Sequence, residues 1–366
     1  MRTVELNLDR GRRCPIHVGH GILDQFGSHC RQLELGRKVA VIADDAVAET
    51  HLPPVVESLR QAGFEVVEVP FSGGDGAKNL STAEDIFGQL ISAELDRGSW
   101  IAAVGGGVVG DLGGFVAATF LRGIHVVQVP TTIAAQVDAS IGGKTGVNHA
   151  RGKNTIGAFH QPRMVFTDTA TLRTLPQRER VAGMAEVVKH GLIVDVELFQ
   201  FVEAHVEEII SMEIGAEDLD WLIARNVEVK TAVVAADETE GGQRAILNYG
   251  HTIGHAIEAA AGYVTYRHGE AVILGMVAAG EIARSTGRWS AEDRDRQDRL
   301  LRRLGIPAGV SELPADRIVE YTKADKKRLD GQLRFVLAKG IGAVEIVDTI
   351  GEADVRAAIS YIQDTC

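Results

Sequence analysis

Along the first half of the chain, short apolar runs rich in β-branched residues alternate with stretches whose apolar positions recur at helical spacing. The runs Lys38 to Ala43, Glu65 to Val69, Trp100 to Val104, His125 to Val129 and Met164 to Thr167 predict strands, with helices such as Pro54 to Gln61 and Thr82 to Leu95 between them. This alternation is the signature of a parallel sheet covered by helices. Beyond about residue 176 the strand signals largely stop. Helical patterns take over at Gln177 to Lys189, Leu219 to Ala235, Gly250 to Ala261, Glu270 to Thr286 and Ala291 to Leu304. A strand pair, Leu333 to Leu337 and Ala343 to Val347, turns on Lys339-Gly340-Ile341-Gly342 and precedes a closing helix from Glu352. Leu175-Pro176 interrupts the pattern, so the expected organisation is an α/β domain over 1–175 and a mostly helical domain over 176–366.

The chain has 366 residues, more than one hydrophobic core normally organises, and substrates tend to settle in the cleft between two domains. Apolar residues at 45% and charged residues at 24% fit an ordinary globular protein. The net charge of -12 argues against general nucleic-acid binding, which needs a basic footprint to displace counterions. Met1 to Asp9 lacks the basic head and apolar stretch of an export signal, and no uncharged apolar run reaches membrane-spanning length. A soluble cytoplasmic protein is expected. Cys14, Cys30 and Cys366 are odd in number and widely spaced, which predicts neither a disulfide framework nor a cysteine metal site.

Chemistry concentrates in three places. After the strand ending at Val104 comes Gly105-Gly106-Gly107-Val108-Val109-Gly110-Asp111. Read as G-x-G-x-x-G, it lets the backbone turn tightly and approach a pyrophosphate at a helix N-terminus. The acid such a fingerprint carries about 20 residues further on is missing; Asp44-Asp45, ending an earlier strand, offers the ribose contact, so a non-standard Rossmann-like arrangement is expected. The second place, Gly143-Lys144-Thr145 with Gly152-Lys153-Asn154, suits an anion pocket, although Asp138 stands where a phosphate loop needs its first glycine. In the third, His251 and His255 share one face of a helix, His268 opens the next, and Glu186 lies three residues before Lys189 on another. Thr252 replaces the glutamate of a zinc-peptidase helix. Two imidazoles and one carboxylate leave coordination positions open, as a catalytic metal requires, but spacing does not choose which two histidines bind.

The segments Gly105 to Asp111, Gln128 to Thr132, Gln136 to Thr145, Gly152 to Pro162 and Leu247 to His255 together resemble the 3-dehydroquinate synthases of the sugar-phosphate cyclases. The resemblance implies NAD and a divalent metal, zinc or cobalt, with Glu186, His251 and His268 as the metal ligands. It implies Lys144, Asn154, His255 and a lysine of Asp325-Lys326-Lys327, preferably Lys327, around a substrate phosphate. Lys230 and Arg244 match a carboxylate-binding pair, and Asn248, Asp138 and Lys189 match contacts to hydroxyls and the metal shell. Arg122 would reach the phosphate pocket of a neighbouring subunit, which implies a homodimer. Cofactor contacts carry over to Asp44, Asp75, Lys78, Gly107, Val108, Val109, Gly110, Asp111, Thr131, Thr132, Lys144, Lys153, Thr171, Leu172, Arg173 and Thr174. Asp75 stands where a longer glutamate is expected, and His190 where tyrosine is common.

The reaction so implied turns 3-deoxy-D-arabino-heptulosonate 7-phosphate into 3-dehydroquinate and phosphate, a step of the shikimate pathway to aromatic amino acids. Its sequence is transient oxidation by NAD, β-elimination of phosphate, re-reduction, ring opening and aldol closure, with His255 or a water as proton relay. Lys144, Lys153, Lys189, Lys230, Arg244 and Arg122 gather positive charge in an acidic chain, as a multiply anionic substrate requires. A cyclase of sedoheptulose 7-phosphate, of the valiolone type, is the nearest alternative, but its substrate has no carboxylate for Lys230 and Arg244. A metal-dependent polyol dehydrogenase of the glycerol dehydrogenase type has no use for so many anion-binding groups, and a nucleotide-binding regulator with a dead site has no use for the full ligand set.

Overall fold

The computed structural model describes residues 1–326 and 334–366. Its strands are β1 (Arg2–Asn7), β2 (Arg13–Gly19), β3 (Lys38–Asp44), β4 (Glu65–Phe71), β5 (Trp100–Gly105), β6 (His125–Pro130), β7 (Lys144–His149), β8 (Gly152–Phe159), β9 (Val165–Asp168), β10 (Phe335–Gly340) and β11 (Ala343–Val347). The chain divides into two compact units, Met1–Leu175 with Gly215–Thr239, and Pro176–Ile214 with Glu240–Cys366.

The first unit is built on a seven-stranded sheet in the order β1-β2-β9-β6-β5-β3-β4, in which only the β1–β2 pair is antiparallel. β3 shows why its central strands read as unbroken apolar runs. Val39, Val41 and Ala43 enter the core on one face with helices Phe26–Arg31 and Leu52–Gln61, while Ala40 and Ile42 enter the core on the other with Leu80–Ser92 and Gly107–Thr119. A strand covered on both sides has no polar face to display. β1 and β2 escape the sequence reading because their charged and polar residues mask the alternation that buries Leu6, Cys14, Ile16 and Val18. The Lys144 to Phe159 segment, read as a polar anion-binding stretch, is an antiparallel hairpin of β7 and β8; glycine, lysine and asparagine are poor strand formers and conceal it.

The chain first passes between the units after Leu175, and helix Ala216–Ala236, placed by the sequence in a helical second domain, lies in the returning segment. It packs on β1, β2 and the π-helical turn Ala135–Ala139, and so belongs to the first unit. Helical periodicity reveals that Leu219, Leu222, Ile223 and Val227 face a core without revealing which core.

In the second unit, helix His268–Ser285 is buried along its whole length from Gly269 to Ala283. Helices Gln177–Val194, His251–Ala260, Ala291–Leu304 and Glu352–Thr365 and strand β10 pack around it. Helices Val196–Ser211 and Ala315–Lys326 are additions to the expected set, and the β10–β11 hairpin is where the sequence placed a strand pair. Three contacts fix how closely the central helix meets its neighbours. A Cβ on Gly275 would stand 1.9 Å from the Gly250 carbonyl oxygen, one on Gly269 would stand 1.8 Å from that of Ala182, and one on Gly254 would meet Ala271 O at 3.0 Å.

Gly275→Ala is therefore expected to destabilise the protein by ~1–3 kcal/mol through overpacking. Gly88→Ala, at an exposed helical position with nothing within 4 Å of the added methyl, is expected to stabilise it by roughly 0.5–1 kcal/mol. Thermal or urea unfolding of the two variants checks both signs.

Candidate functional site: a nucleotide edge and a metal cluster

β3, β5, β6 and β9 are parallel neighbours, so their carboxyl ends, Asp44, Gly105, Pro130 and Asp168, lie side by side. Strand order reverses between β3 and β5, because the chain runs outward from β3 to β4 and then returns to the opposite side. The crevice beyond such a reversal is where open α/β sheets take ligands. The nominated cofactor residues follow these strand ends. Asp44 closes β3, Gly107 to Asp111 open the helix after β5, Thr131 and Thr132 follow β6, and Thr171 to Thr174 occupy the 3-10 turn after β9.

Helix Gly107–Thr119 has Gly106 as its N-cap, no side-chain cap and no acid in its first turn, so its amides are left for an anion. A Cβ on Gly105 would lie 2.5 Å from Val109 and one on Gly106 3.0 Å from Thr132, which is why the loop is glycine. This cradle fits the pyrophosphate of a dinucleotide. Gln136, fully buried, holds the edge together: its Nε2 donates to Pro130 O at 3.1 Å, Asp168 O at 3.0 Å and Thr171 Oγ1 at 3.1 Å. Its place in the Gln136 to Thr145 segment does not by itself reveal this role.

Two lysines are seated by acids on the same unit. Lys78 pairs with Asp111, and Lys153 Nζ lies 3.0 Å from Asp75 Oδ2, a reach the shorter aspartate manages. Burial raises the Asp111 carboxyl above the usual range even against the Lys78 charge. Asn148 amide N donates to Lys78 O at 2.8 Å, and its Oδ1 accepts from Asn154 N at 3.0 Å, which ties the β7–β8 hairpin to the Asp75–Lys78 segment. Lys144 opens β7 with its side chain exposed, and Asn154 sits at φ +52°. Lys230, buried, donates to Asp138 Oδ1 at 2.5 Å. Asp138 lies on the π-helical turn, a deformation that recurs at functional sites. Arg122 is exposed and, with Leu121, forms two successive non-glycine residues in the left-handed region, at φ +72° and +49°.

In the second unit, Glu186 is buried on helix Gln177–Val194, and its Oε1 lies 3.6 Å from Nε2 of both His251 and His268. Two donors each about 2.1 Å from one tetrahedral ion stand roughly 3.4 Å apart, so the three side chains fit a divalent metal. His251, His255 and His268 present ring nitrogens within 4.8 Å of one another, so imidazole proximity leaves all three in play; Glu186 Oε1 faces the first and third. Each of these rings is fixed from behind. His251 Nδ1 donates to Tyr249 O at 3.1 Å, and His268 Nδ1 lies 3.1 Å from Glu258 Oε2. Glu258, absent from the expected set, lies seven residues after His251 and three after His255 on the same helix, a spacing that was readable.

Charge states differ within the cluster. Burial works to raise the Glu186 carboxyl, but Lys189, which pairs with its other oxygen, and the two imidazoles hold it well below the usual range. Burial and then the Lys189 charge hold His251 well below the usual imidazole range. His268 is opposite: desolvation pulls it down, yet Glu186 and Glu258 outweigh that and raise it to about 10. Arg244 is fully buried in the 3-10 turn Gln243–Asn248, Asn248 Nδ2 donates to Glu240 Oε1 at 3.4 Å, and Lys327 lies outside the described residues.

The chain matches the family model 3-dehydroquinate synthase N-terminal over residues 68–182 and the model 3-dehydroquinate synthase C-terminal over 183–328. It is 48% identical over 348 residues to a 3-dehydroquinate synthase from Synechococcus sp. (strain CC9605), covering 94% of both chains. Among solved structures it is similar to a 2-deoxy-scyllo-inosose synthase complexed with carbaglucose-6-phosphate, NAD+ and Co2+, at 28% identity and TM-score 0.88, over 98% of this chain and 99% of that one. It shares the fold of a 2-epi-5-epi-valiolone synthase from Streptomyces hygroscopicus subsp. jinggangensis with NAD+ and Zn2+ bound, at 24% identity and TM-score 0.89, over 100% and 99%.

Metal uptake near neutral pH must expel the His268 proton, whereas His251 and Glu186 are already in their ligating forms. Uptake is expected to release about one proton, and affinity to rise roughly tenfold per pH unit from 6 to 8. Calorimetry in buffers of different ionisation enthalpy reads the proton count; a count near two or zero contradicts the assignment.

Proposed function

This chain belongs to the 3-dehydroquinate synthase family, and we propose that it converts 3-deoxy-D-arabino-heptulosonate 7-phosphate to 3-dehydroquinate and phosphate, with NAD and a divalent metal. The observation that carries the chemical reading is the buried Glu186 oxygen equidistant from two imidazoles. When bound, NAD supplies reversible hydride acceptance and zinc or cobalt supplies Lewis-acid polarisation of a substrate hydroxyl. Asp44, the Gly107 to Asp111 helix start and Thr131 to Thr132 hold the dinucleotide, and Glu186, His251 and His268 hold the metal.

The remaining residues bind and orient the substrate. Lys230 and Arg244, both buried cations, take its carboxylate, a role that suits buried charge because the arriving anion offsets desolvation. Lys144, Asn154, His255 and Lys327 take the phosphate, and Asp138, Lys189 and Asn248 take hydroxyls. His255, beside the two ligand rings at centroid distances of 5.3 and 5.6 Å, moves the proton that ring opening and closure require. No side chain is assigned as a covalent nucleophile; the protein positions the substrate and stabilises its charges, making the reaction an overall lyase step.

We assign a homodimer in which Arg122 serves the neighbouring subunit, a reading supported by its exposure and left-handed backbone. Among the described residues no helix is long and apolar enough to cross a membrane, and three free cysteines agree with a reducing compartment such as the cytoplasm.

Phosphate release from the heptulosonate phosphate is expected to require both NAD+ and metal and to proceed without net NADH. Steady NADH build-up, with this substrate or with glycerol, marks a dehydrogenase instead. Mixing inactive Arg122→Ala and Lys230→Ala proteins is expected to restore part of the activity through hybrid sites; absence of recovery under subunit exchange assigns Arg122 to its own subunit.

A further inference from the structure

Glu258 belongs to none of the substrate, cofactor or metal roles assigned above, yet it is 1% exposed and its Oε2 stands 3.1 Å from His268 Nδ1. A carboxylate has no proton to give, so Nδ1 must be the donor. That leaves Nε2, the atom facing Glu186 at 3.6 Å, as the nitrogen available to a metal. Among the described residues His251 has no comparable anion behind it: its Nδ1 donates to the Tyr249 carbonyl, and Tyr249 is held in turn by its hydroxyl donating to Gln297 Oε1 at 2.5 Å. The two imidazoles are therefore unequal, one backed by a neutral dipole and one by a full charge.

The charge matters because Lys189 pairs with Glu186 through the oxygen that does not face the histidines. The only anionic ligand is neutralised from behind, so the three ligands with Lys189 present no net charge to a dication. Building on the metal reading above, we infer that Glu258 is a positioning residue that completes a carboxylate–histidine–metal triad through His268, fixing its tautomer and supplying the negative charge that Lys189 removes. Carboxylates behind metal-binding histidines act in this way by making the imidazole more basic, and their loss costs about 10–100-fold in metal affinity.

The test is competition of the full-length protein with a chelator for Co2+ and Zn2+, read as binding rather than turnover. Glu258→Gln keeps a hydrogen-bond acceptor of the same size and removes the charge. It is expected to weaken both metals by about 10–100-fold, to shift the visible Co2+ absorption, and to leave the metal-free melting temperature close to that of the parent. Glu258→Asp is expected to recover part of the affinity. Unchanged metal affinity in a folded Glu258→Gln protein overturns the inference. Should that variant not fold, 15N NMR of imidazole-labelled, Zn2+-loaded parent protein decides: a proton on His268 Nδ1 with metal on Nε2 supports the triad, and metal on Nδ1 overturns it. His268→Ala serves as the reference. If His268→Ala binds metal as tightly as the parent, or the parent binds neither metal specifically, the metal reading itself fails, an outcome distinct from failure of Glu258 alone.

Discussion

The contact on which the second unit depends is backbone against backbone. Where helices His251–Ala260 and His268–Ser285 meet, Gly275 leaves no space for even one methyl group and Gly254 leaves only a tight fit. Helices normally pack with their axes 8–10 Å apart, and small residues at the crossing set the near limit. At this approach the His268 ring stands 5.2 Å from that of His251 and 5.6 Å from that of His255 on the neighbouring helix. Gly269 does the same against helix Gln177–Val194, which brings Glu186 to the same place. The proposed ligands are thus spaced by residues that have no functional group.

This explains what could and could not be read from the sequence. The central strands were legible because burial on both faces leaves an uninterrupted apolar run, and the long helices because a full-length period repeats. β1, β2 and the β7–β8 hairpin were not, since their short segments carry polar or glycine residues that satisfy turns and strands alike. The allegiance of helix Ala216–Ala236 was illegible for a different reason: periodicity gives a face, and partners come only from tertiary packing.

The site divides in the same manner. Types of residue at telling spacings, His251 with His255 or the glycines after Val104, announced chemistry. The groups that hold them did not. Gln136 is an unremarked amide in sequence and a three-way buried tether in space; Asp168, likewise, receives amides of Gly21, Ile22 and Leu23 at 2.7, 2.7 and 3.0 Å from more than 140 residues away. Four lysines of the expected set, Lys78, Lys153, Lys189 and Lys230, each proved to be paired with an acid. Such pairs keep long cationic side chains in defined rotamers before any ligand arrives.

The return of Gly215–Thr239 to the first unit reaches into folding as well as architecture. Arg12, between β1 and β2, bonds to Glu238 across 226 residues of sequence. The apolar surface of β1 and β2 is met by helix Ala216–Ala236, which lies far along the chain from both strands. Closing so long a loop comes late in folding and exposes that surface meanwhile. The first unit therefore completes its core only with a segment that lies beyond an excursion of the chain into the second, Pro176–Ile214, which couples the order in which the two fold.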